Sequence, residues 1–288
     1  QSISLKKWPK RFRDYFARII LDEGHRNAAP KYSEVLRQFP GRRLALTATW
    51  QRSDGLHKVV SLHCGGILYS DISQALRPRV FFLETGLRAP YVAKRCTVCR
   101  TRLAFYAKAC PGHAGATLEP TAQGYDWPRI LTWLSGSERR TNIIIDMVRK
   151  AITKNPKRKV LVLGERIDQL TAIHRALSPV AGLVIGEVGS KERGLEMEKQ
   201  IIVATTKLAR EGLDDKRLDT LVFLFPVTDP GAVQQGIGRI LREHTDKQEP
   251  LVFVLEDKAN PTCAKFALAM RRVVGKMGYT MTSLEVGQ

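Results

Sequence analysis

The chain has 288 residues, of which 43% are hydrophobic, so it can form one large domain or two ordinary ones. No apolar stretch is long enough to span a membrane and no signal peptide is visible, so we expect a cytoplasmic protein. The net charge of +19 indicates a polyanionic partner, most commonly nucleic acid, with solubility alone as the alternative. Five cysteines, three of them clustered, argue against a disulfide framework and for a metal site in a reducing compartment.

The first 85 residues contain short apolar runs that are typical of buried strands. Two of these runs, 17–23 and 43–49, are separated by a predicted helix at about 31–38, and 79–85 is a candidate third strand. Two or three strands are too few for a complete doubly wound sheet. We therefore expect residues 1–85 to be part of a larger α/β unit.

The next segment, residues 86–124, breaks this rhythm and contains two pairs of metal-ligand residues. Cys96 and Cys99 form a CxxC pair, and Cys110 and His113 form a CxxH pair. Two such turns supply four ligands to a structural Zn²⁺, whereas coincidental free thiols are the alternative. The surrounding residues either suit contact with nucleic acid or form the solvated face and small core of the module: Lys94, Arg95, Arg100, Arg102, Phe105, Tyr106 and Lys108.

From residue 159 onward, short apolar runs alternate with helical stretches. Near-continuous apolar strands between helices predict a parallel sheet covered on both faces, so the fold class is α/β. The predicted strands are 159–164, 182–188, 200–206, 219–226 and 250–256, and the predicted helices are 166–177, 229–243 and 263–278.

Three polar segments suggest chemistry. The pair Asp22-Glu23 ends the first strand, where it could hold Mg²⁺ and orient a water, or be only a solvated strand end. Hydroxyl residues follow the second strand in "LALTAT". Arg239 and Arg242 in "QQGIGRILR" are three residues apart on a predicted helix, so we expect them to share a face. Two guanidiniums on one face suit a transferring phosphoryl group, and a solvated basic face is the alternative.

Together these segments resemble the motifs of superfamily 2 helicases. The order DEGH, TAT, REGLD and QxxGRxxR resembles motifs II, III, V and VI, and is most similar to the DNA-repair and phage branch. One departure is Trp50, where the family usually has proline after TAT. The resemblance implies a partial first RecA-like domain (1–85), a zinc-binding insertion (86–124) and a complete second RecA-like domain (125–288), with ATP between the two RecA-like domains.

The resemblance also implies a role for each matching residue. Asp22 would hold Mg²⁺ and Glu23 would activate water, while His25 would couple the nucleotide site to Thr47 and Thr49. The remaining residues would be arginine fingers at Arg239 and Arg242, nucleotide contacts at Gln235, Gly212 and Asp214, and nucleic-acid contacts at Thr205, Thr206 and Arg166.

No phosphate loop accompanies these motifs. Such a loop reads GxxxxGK[ST], and the single Gly-Lys pair, Gly275-Lys276, is followed by Met277. In the resembled family the loop lies well upstream of the acidic motif, whereas here only 21 residues precede Asp22. We expect that this chain, which begins at Gln1, is a fragment, or that another polypeptide supplies the loop. The chain alone should bind ATP poorly.

The leading hypothesis is the C-terminal portion of an ATP-dependent DNA helicase or translocase with ATP, Mg²⁺ and Zn²⁺ as cofactors. It would act in a bacterial or phage-infected cytoplasm. The alternative is a non-catalytic nucleic-acid-binding or regulatory subunit whose partner supplies the phosphate loop. The missing loop favours the alternative, and the intact acidic pair and both arginines favour the motor.

Overall fold

The computed structural model of the protein describes most of the chain. The described residues are 8–24, 36–47, 55–70, 76–87, 94–103, 107–120, 127–186, 190–208, 213, 215–245 and 247–285. The chain divides into two compact units, residues 1–73 and residues 74–288. None of the helices in these described ranges has the length and apolar character needed to cross a membrane.

The first unit contains a two-stranded parallel sheet. Its elements are α1 (Lys10–Tyr15), β1 (Arg18–Leu21), β2 (Arg42–Ala45) and α2 (His57–Cys64). β1 and β2 pair in parallel, with Leu21 opposite Ala45. Residues 36–38 are helical, within the helix predicted between the two strands. Because the strands are parallel, their carboxyl ends meet at one edge of the sheet.

The second unit begins with β3 (Arg79–Glu84) and then contains a small antiparallel sheet. The sheet consists of β4 (Lys94–Cys96), β5 (Arg102–Leu103) and β6 (Leu118–Pro120), with β4 in the middle. We call residues 94–120 the Cys/His module. Its strands are too short to bury a core of their own, so another constraint must hold the module in shape.

The remainder of the second unit alternates helices and strands. Its elements are α3 (Trp127–Ser135), α4 (Glu138–Lys154), β7 (Val160–Gly164), α5 (Ile167–Leu177), β8 (Ala181–Val184), α6 (Ser190–Glu198), β9 (Ile201–Thr205), β10 (Thr220–Phe223), α7 (Pro230–Ile240), β11 (Leu251–Glu256), α8 (Pro261–Lys276) and β12 (Thr280–Glu285). Seven strands form one parallel sheet in the order β12-β3-β11-β10-β7-β9-β8. The predicted α/β parallel sheet is thus confirmed.

Helices cover both faces of this sheet. Val160 and Val162 of β7 face one hydrophobic core with α3, α4 and α5, and Leu161 and Leu163 face a second core with α7 and α8. This alternation follows from the two-residue period of a strand. Because both faces are buried, the central strands are nearly continuous apolar runs, which is the pattern that predicted them.

The strand at 79–84 lies in the second unit, whereas the sequence placed it with residues 1–85. β3 pairs in parallel with β11 on one side and with β12 on the other. The expected boundary at residue 85 is therefore wrong, and the two units divide at residue 73. Local sequence shows that an apolar run forms a strand, but pairing with β11 depends on contacts about 170 residues away in the chain.

Candidate nucleotide and metal sites

The acidic pair lies in a turn directly after β1. Asp22 and Glu23 follow the last residue of the strand, and the Glu23 backbone N–H donates to Asp22 Oδ1 at 2.9 Å. Glu23 has a φ of 51°, in the left-handed region that residues other than glycine rarely adopt. Ligands of open parallel sheets bind at the carboxyl ends of strands, which is where these two carboxylates lie.

Gly24 joins this turn to the end of β2. Its N–H donates to the Leu46 carbonyl at 2.8 Å, and the Leu46 N–H donates to the Leu21 carbonyl, also at 2.8 Å. A Cβ added at position 24 would lie only 2.6 Å from the Ala45 Cβ. The close approach of the two backbones therefore requires glycine here.

The hydroxyl segment follows β2 at the same edge. Thr47 is half-buried two residues beyond the end of β2. The parallel pairing of β1 and β2 brings it to the edge that holds the acidic turn. His25 and Thr49, predicted to act with it, lie outside the described residues, so the coupling between them stays a prediction.

A small cleft lies at the carboxyl edge of the seven-stranded sheet. Leu163 and Phe223, near the ends of β7 and β10, give it an apolar lining, and Thr206, Gln235 and Arg239 contribute polar groups. Thr206, a predicted nucleic-acid contact, thus meets Gln235 and Arg239 of the motif QxxGRxxR in one place. Their sequence separation means that only the fold brings them together.

Both threonines at the end of β9 are tied to neighbouring backbone. Thr205 Oγ1 accepts from the Leu208 N–H at 3.4 Å, and Thr206 Oγ1 donates to the Gly164 carbonyl at 3.2 Å. The second bond connects the ends of adjacent strands β9 and β7. These hydroxyls therefore shape the carboxyl edge, and their predicted contact with nucleic acid stays a prediction.

Arg239 reaches from α7 to the segment before β10. It is half-buried, and its guanidinium donates to the Leu213 carbonyl. Burial lowers the pKa of Arg239, yet a guanidinium stays charged at neutral pH. Gly212 and Asp214, the predicted nucleotide contacts on either side of Leu213, lie outside the described residues.

The prediction that one helix carries both Arg239 and Arg242 is wrong, because α7 ends at Ile240. α7 ends just before Leu241, whose N–H donates to the Gly238 carbonyl at 3.2 Å. This three-residue spacing tightens the last turn and ends the helix. Arg242 lies beyond it, exposed, and its carbonyl accepts from Lys247 Nζ. The nucleotide roles of both arginines stay predictions.

Arg166 also lies at the carboxyl edge of the sheet. It precedes α5 directly after β7, and its Nη2 donates to the Pro128 carbonyl at 3.0 Å. The predicted nucleic-acid residues Arg166, Thr205 and Thr206 therefore follow two neighbouring strands, β7 and β9. The same end of the sheet carries the cleft with Gln235 and Arg239.

The four predicted metal ligands are brought together in the Cys/His module. The ligand atoms of Cys96, Cys99, Cys110 and His113 all lie within 4.8 Å of one another, and the Sγ atoms of Cys99 and Cys110 are 3.5 Å apart. Ligands of a tetrahedral zinc with Zn–S bonds of about 2.3 Å are about 3.8 Å apart. This cluster can therefore hold a zinc ion.

The backbone of the module orients these ligands. The Arg100 N–H donates to the Cys96 carbonyl at 3.0 Å, and the His113 N–H donates to the Cys110 carbonyl at 3.1 Å. A hydrogen bond with the Thr101 side chain lowers the pKa of Cys99, which favours its thiolate form. The thiolate is the form that binds metal.

One residue that sequence reasoning missed lies beside the predicted nucleotide segment. Asp215 is buried and pairs with Lys159 at 2.6 Å and with Arg217 at 2.9 Å. Burial alone would raise its pKa, but hydrogen bonds from Arg217 and Lys159 lower the pKa to about 2. Asp215 is the second aspartate of "GLDD", but no sequence pattern indicates that it pairs with Lys159, which lies just before β7.

Two viral proteins are similar to nearly the whole chain. Protein L396 of Acanthamoeba polyphaga mimivirus, provisionally named an ATP-dependent RNA helicase, is 24% identical over 96% of this chain and 50% of its own length. Protein QP509L of African swine fever virus, with the same provisional name, is 23% identical over 96% of this chain and 54% of its own length. The chain thus spans about half the length of these relatives.

A solved structure shows the same fold. It is a fragment of a protein provisionally identified as the HsdR subunit of a type I restriction enzyme from Vibrio vulnificus YJ016. It superposes with a TM-score of 0.62 at 18% identity, over 95% of this chain and 49% of that one. No protein-family model matches the chain. In sequence and in its RecA-like fold, the chain is similar to superfamily 2 helicases.

Proposed function

We propose that this chain is the C-terminal portion of an ATP-dependent helicase or translocase that moves along nucleic acid. The observation that carries the proposal is the placement of its motif residues. Asp22 and Glu23 lie at the carboxyl end of a parallel strand, and Thr206, Gln235 and Arg239 meet at the carboxyl edge of a second parallel sheet. The provisional names of the two viral relatives support the same activity.

Each residue has a definite task in this proposal. Asp22 would hold Mg²⁺, and Glu23 would orient the attacking water. Arg239 would exchange the Leu213 carbonyl for a phosphate oxygen and stabilise the charge that develops during transfer. Bound ATP supplies the phosphoryl group whose transfer to water drives movement. Gln235 would support the same phosphate.

The proposal includes a further segment or polypeptide that carries the phosphate loop. The sequence contains no GxxxxGK[ST], and the viral relatives are about twice as long as this chain. Without the backbone cradle of such a loop, the affinity for nucleoside triphosphate should be low.

The test is nucleic-acid-stimulated ATP hydrolysis by this chain alone and by a longer form that contains the loop. We expect no turnover by the chain alone and robust turnover by the longer form. Glu23→Gln in the longer form should lower kcat by about 100-fold or more, because the base that orients water is lost. The matched control is Glu192→Gln on the exposed face of α6, which should retain full activity.

Two outcomes would change the proposal. Glu23-dependent turnover by the chain alone would contradict the need for a separate loop. A longer form that binds ATP without hydrolysing it would favour a non-catalytic nucleic-acid-binding or regulatory subunit, which the absence of a loop motif also favours.

The proposed nucleic acid is DNA. The motif sequence is most similar to the DNA-repair and phage branch, whereas the viral relatives carry RNA helicase names. Matched DNA and RNA strands in the ATPase assay separate the two. Greater stimulation by RNA would overturn this choice and leave the motor activity standing.

We also infer that the Cys/His module holds a structural Zn²⁺. The ligand atoms of three cysteines and one histidine lie at distances that suit a tetrahedral ion. All four positions would be filled by protein, so no open position remains for a catalytic water. The ion would provide the constraint that three short strands lack.

A further inference from the structure

The Cys/His module is strongly basic. Its 27 residues contain five lysine or arginine side chains against the single carboxylate of Glu119, which leaves a net charge of +4. Arg100, Arg102 and Lys108 are exposed. The contact between Arg100 and Glu119 is 4.0 Å long, with side chains 68% and 57% exposed, so water screens it. The module therefore presents positive charge to solvent.

The metal ligands orient part of this charge. Arg100 directly follows Cys99 and has a φ of 59°, and its N–H is bonded to the Cys96 carbonyl. The carbonyl of Thr101 accepts from the Cys96 N–H at 3.1 Å and closes the same turn. Lys108 lies two residues before the ligand Cys110. A metal ion at the cluster would thus fix the backbone from which Arg100 and Lys108 project.

The chain enters the module from the carboxyl edge of the seven-stranded sheet. Thr85 follows β3, and its hydroxyl donates to Asp257, which follows β11. Leu87 is buried in the hydrophobic core beside α3 and α4. The last described residues before the module are therefore fixed at this edge.

The chain also leaves the module at that edge. Trp127 opens α3 and contacts Phe225, beyond the end of β10, with ring centroids 6.1 Å apart. The connections 88–93 and 121–126 have six residues each, so the described residues on either side of each connection can be at most about 25 Å apart. The module is thus tethered at both ends within about 25 Å of the carboxyl edge.

The same edge carries the candidate nucleic-acid residues. Arg166 donates to the carbonyl of Pro128, one residue beyond the point where the chain returns from the module. Thr205 ends β9, the neighbour of β7, and Thr206 follows it. An elongated polyanion that contacts Arg166 and the two threonines could extend onto the module without crossing the sheet.

We propose that the Cys/His module binds the phosphates of the nucleic-acid strand on which the protein acts, through Arg100, Arg102 and Lys108. The proposal rests on the nucleic-acid function proposed above and adds a second contact region to it. Guanidinium groups form paired hydrogen bonds with phosphate oxygens, and each phosphate neutralised releases counterions from the strand. The contact reads no sequence, because it involves only the backbone.

The test compares two double variants of the zinc-loaded 288-residue chain that lose the same charge. Arg100→Gln with Lys108→Gln removes two cations of the module. Lys154→Gln with Lys157→Gln removes two exposed cations, one at the last residue of α4 and one just beyond it, at the amino end of β7 and so at the opposite edge of the sheet. The probes are fluorescein-labelled oligothymidylate and oligouridylate, and anisotropy gives Kd at several salt concentrations.

We expect the module variant to raise Kd about tenfold and to lower the slope of log Kd against log salt by about 1.4, for two single-strand phosphate contacts. The opposite-edge variant should keep the wild-type slope. The Kd and its salt dependence should change equally for the two probes. Equal losses in the two variants, or a module variant with wild-type slope, would overturn the proposal. Failure of the wild-type chain to bind either probe would instead contradict the proposed nucleic-acid function itself.

Discussion

At the scale of single residues, Gly24 determines how the acidic turn meets the next strand. It lies between the carboxylates Asp22 and Glu23 and the hydroxyl segment after β2, and its N–H is bonded to Leu46. The left-handed backbone of Glu23 and the absence of a Cβ at position 24 both serve this close approach. Any residue with a Cβ at position 24 must displace the turn or the strand.

Gly24→Ala should loosen this contact, because the new Cβ would lie 2.6 Å from the Cβ of Ala45. Overpacking of this kind costs about 1–3 kcal/mol. We expect faster hydrogen exchange at the backbone amides of position 24 and of Leu46, which make the two bonds across the turn. NMR-detected exchange measures both amides directly.

The partner variant Ala45→Gly provides the internal control. It removes the Cβ that the new alanine meets, so the double variant should exchange more slowly at Leu46 than Gly24→Ala alone. Exchange in the double variant as fast as in the single variant would contradict the steric explanation, as would wild-type protection in Gly24→Ala.

At the scale of elements, the Cys/His module depends on its ligands for its shape. Two buried ligands, Cys96 and Cys110, and two exposed ones, Cys99 and His113, join turns that no sizeable core supports. Structural zinc sites contribute their binding free energy directly to folding. The rest of the second unit has its own two cores and should fold without the ion.

Cys96→Ser should reduce the zinc content from about one ion per chain to nearly none, because a closed four-ligand site loses most of its affinity with one thiolate. Amide exchange across 94–120 should accelerate, while the seven-stranded sheet stays protected. Metal analysis and exchange mass spectrometry are the measurements.

The matched control is Cys64→Ser, which changes a half-buried thiol outside the cluster. It should retain the wild-type zinc content. Equal zinc in the two variants, or a wild-type chain that takes up no zinc when it is supplied, would contradict the assignment of a zinc site.

At the scale of the whole second unit, one buried ion pair joins four segments of the sheet's carboxyl edge. Arg140 of α4 donates to Asp257 at 3.0 Å and to the Leu224 carbonyl after β10, and both charged side chains are 0% exposed. Thr85, at the entrance to the Cys/His module, donates to the same carboxylate. The arginine also lies 4.1 Å from the ring centroid of Phe225.

Asp257→Asn should destabilise the second unit by about 3–5 kcal/mol, because it leaves the buried guanidinium without its counter-charge. Adding Arg140→Met should restore part of that loss, since neither buried charge then remains. Denaturant unfolding measures both variants. Glu198→Gln, which breaks an exposed pair with Arg217, should leave the unfolding midpoint nearly unchanged. A double variant less stable than Asp257→Asn would contradict this explanation.

Much of the fold could be predicted from the sequence. The central strands β7, β9, β10 and β11 are nearly continuous apolar runs because both faces of the sheet are covered, and this pattern does not depend on the order in which the strands pair. The spacing of Cys96, Cys99, Cys110 and His113 likewise predicted a cluster that the structure brings together. Such signals are local, since they depend on residues within a few positions of one another.

Periodicity, composition and short spacing predicted the central strands of the large sheet, three of the helices that cover it, the basic charge and the ligand pairs, because each of these signals depends on residues close together in the chain. Three features became known from the three-dimensional fold: β3 pairs with β11, α7 ends before Arg242, and Asp215 pairs with Lys159. These features depend on which distant segments pack together. The free energy that stabilises these features comes from contacts between residues far apart in the chain, and no local sequence pattern predicts those contacts.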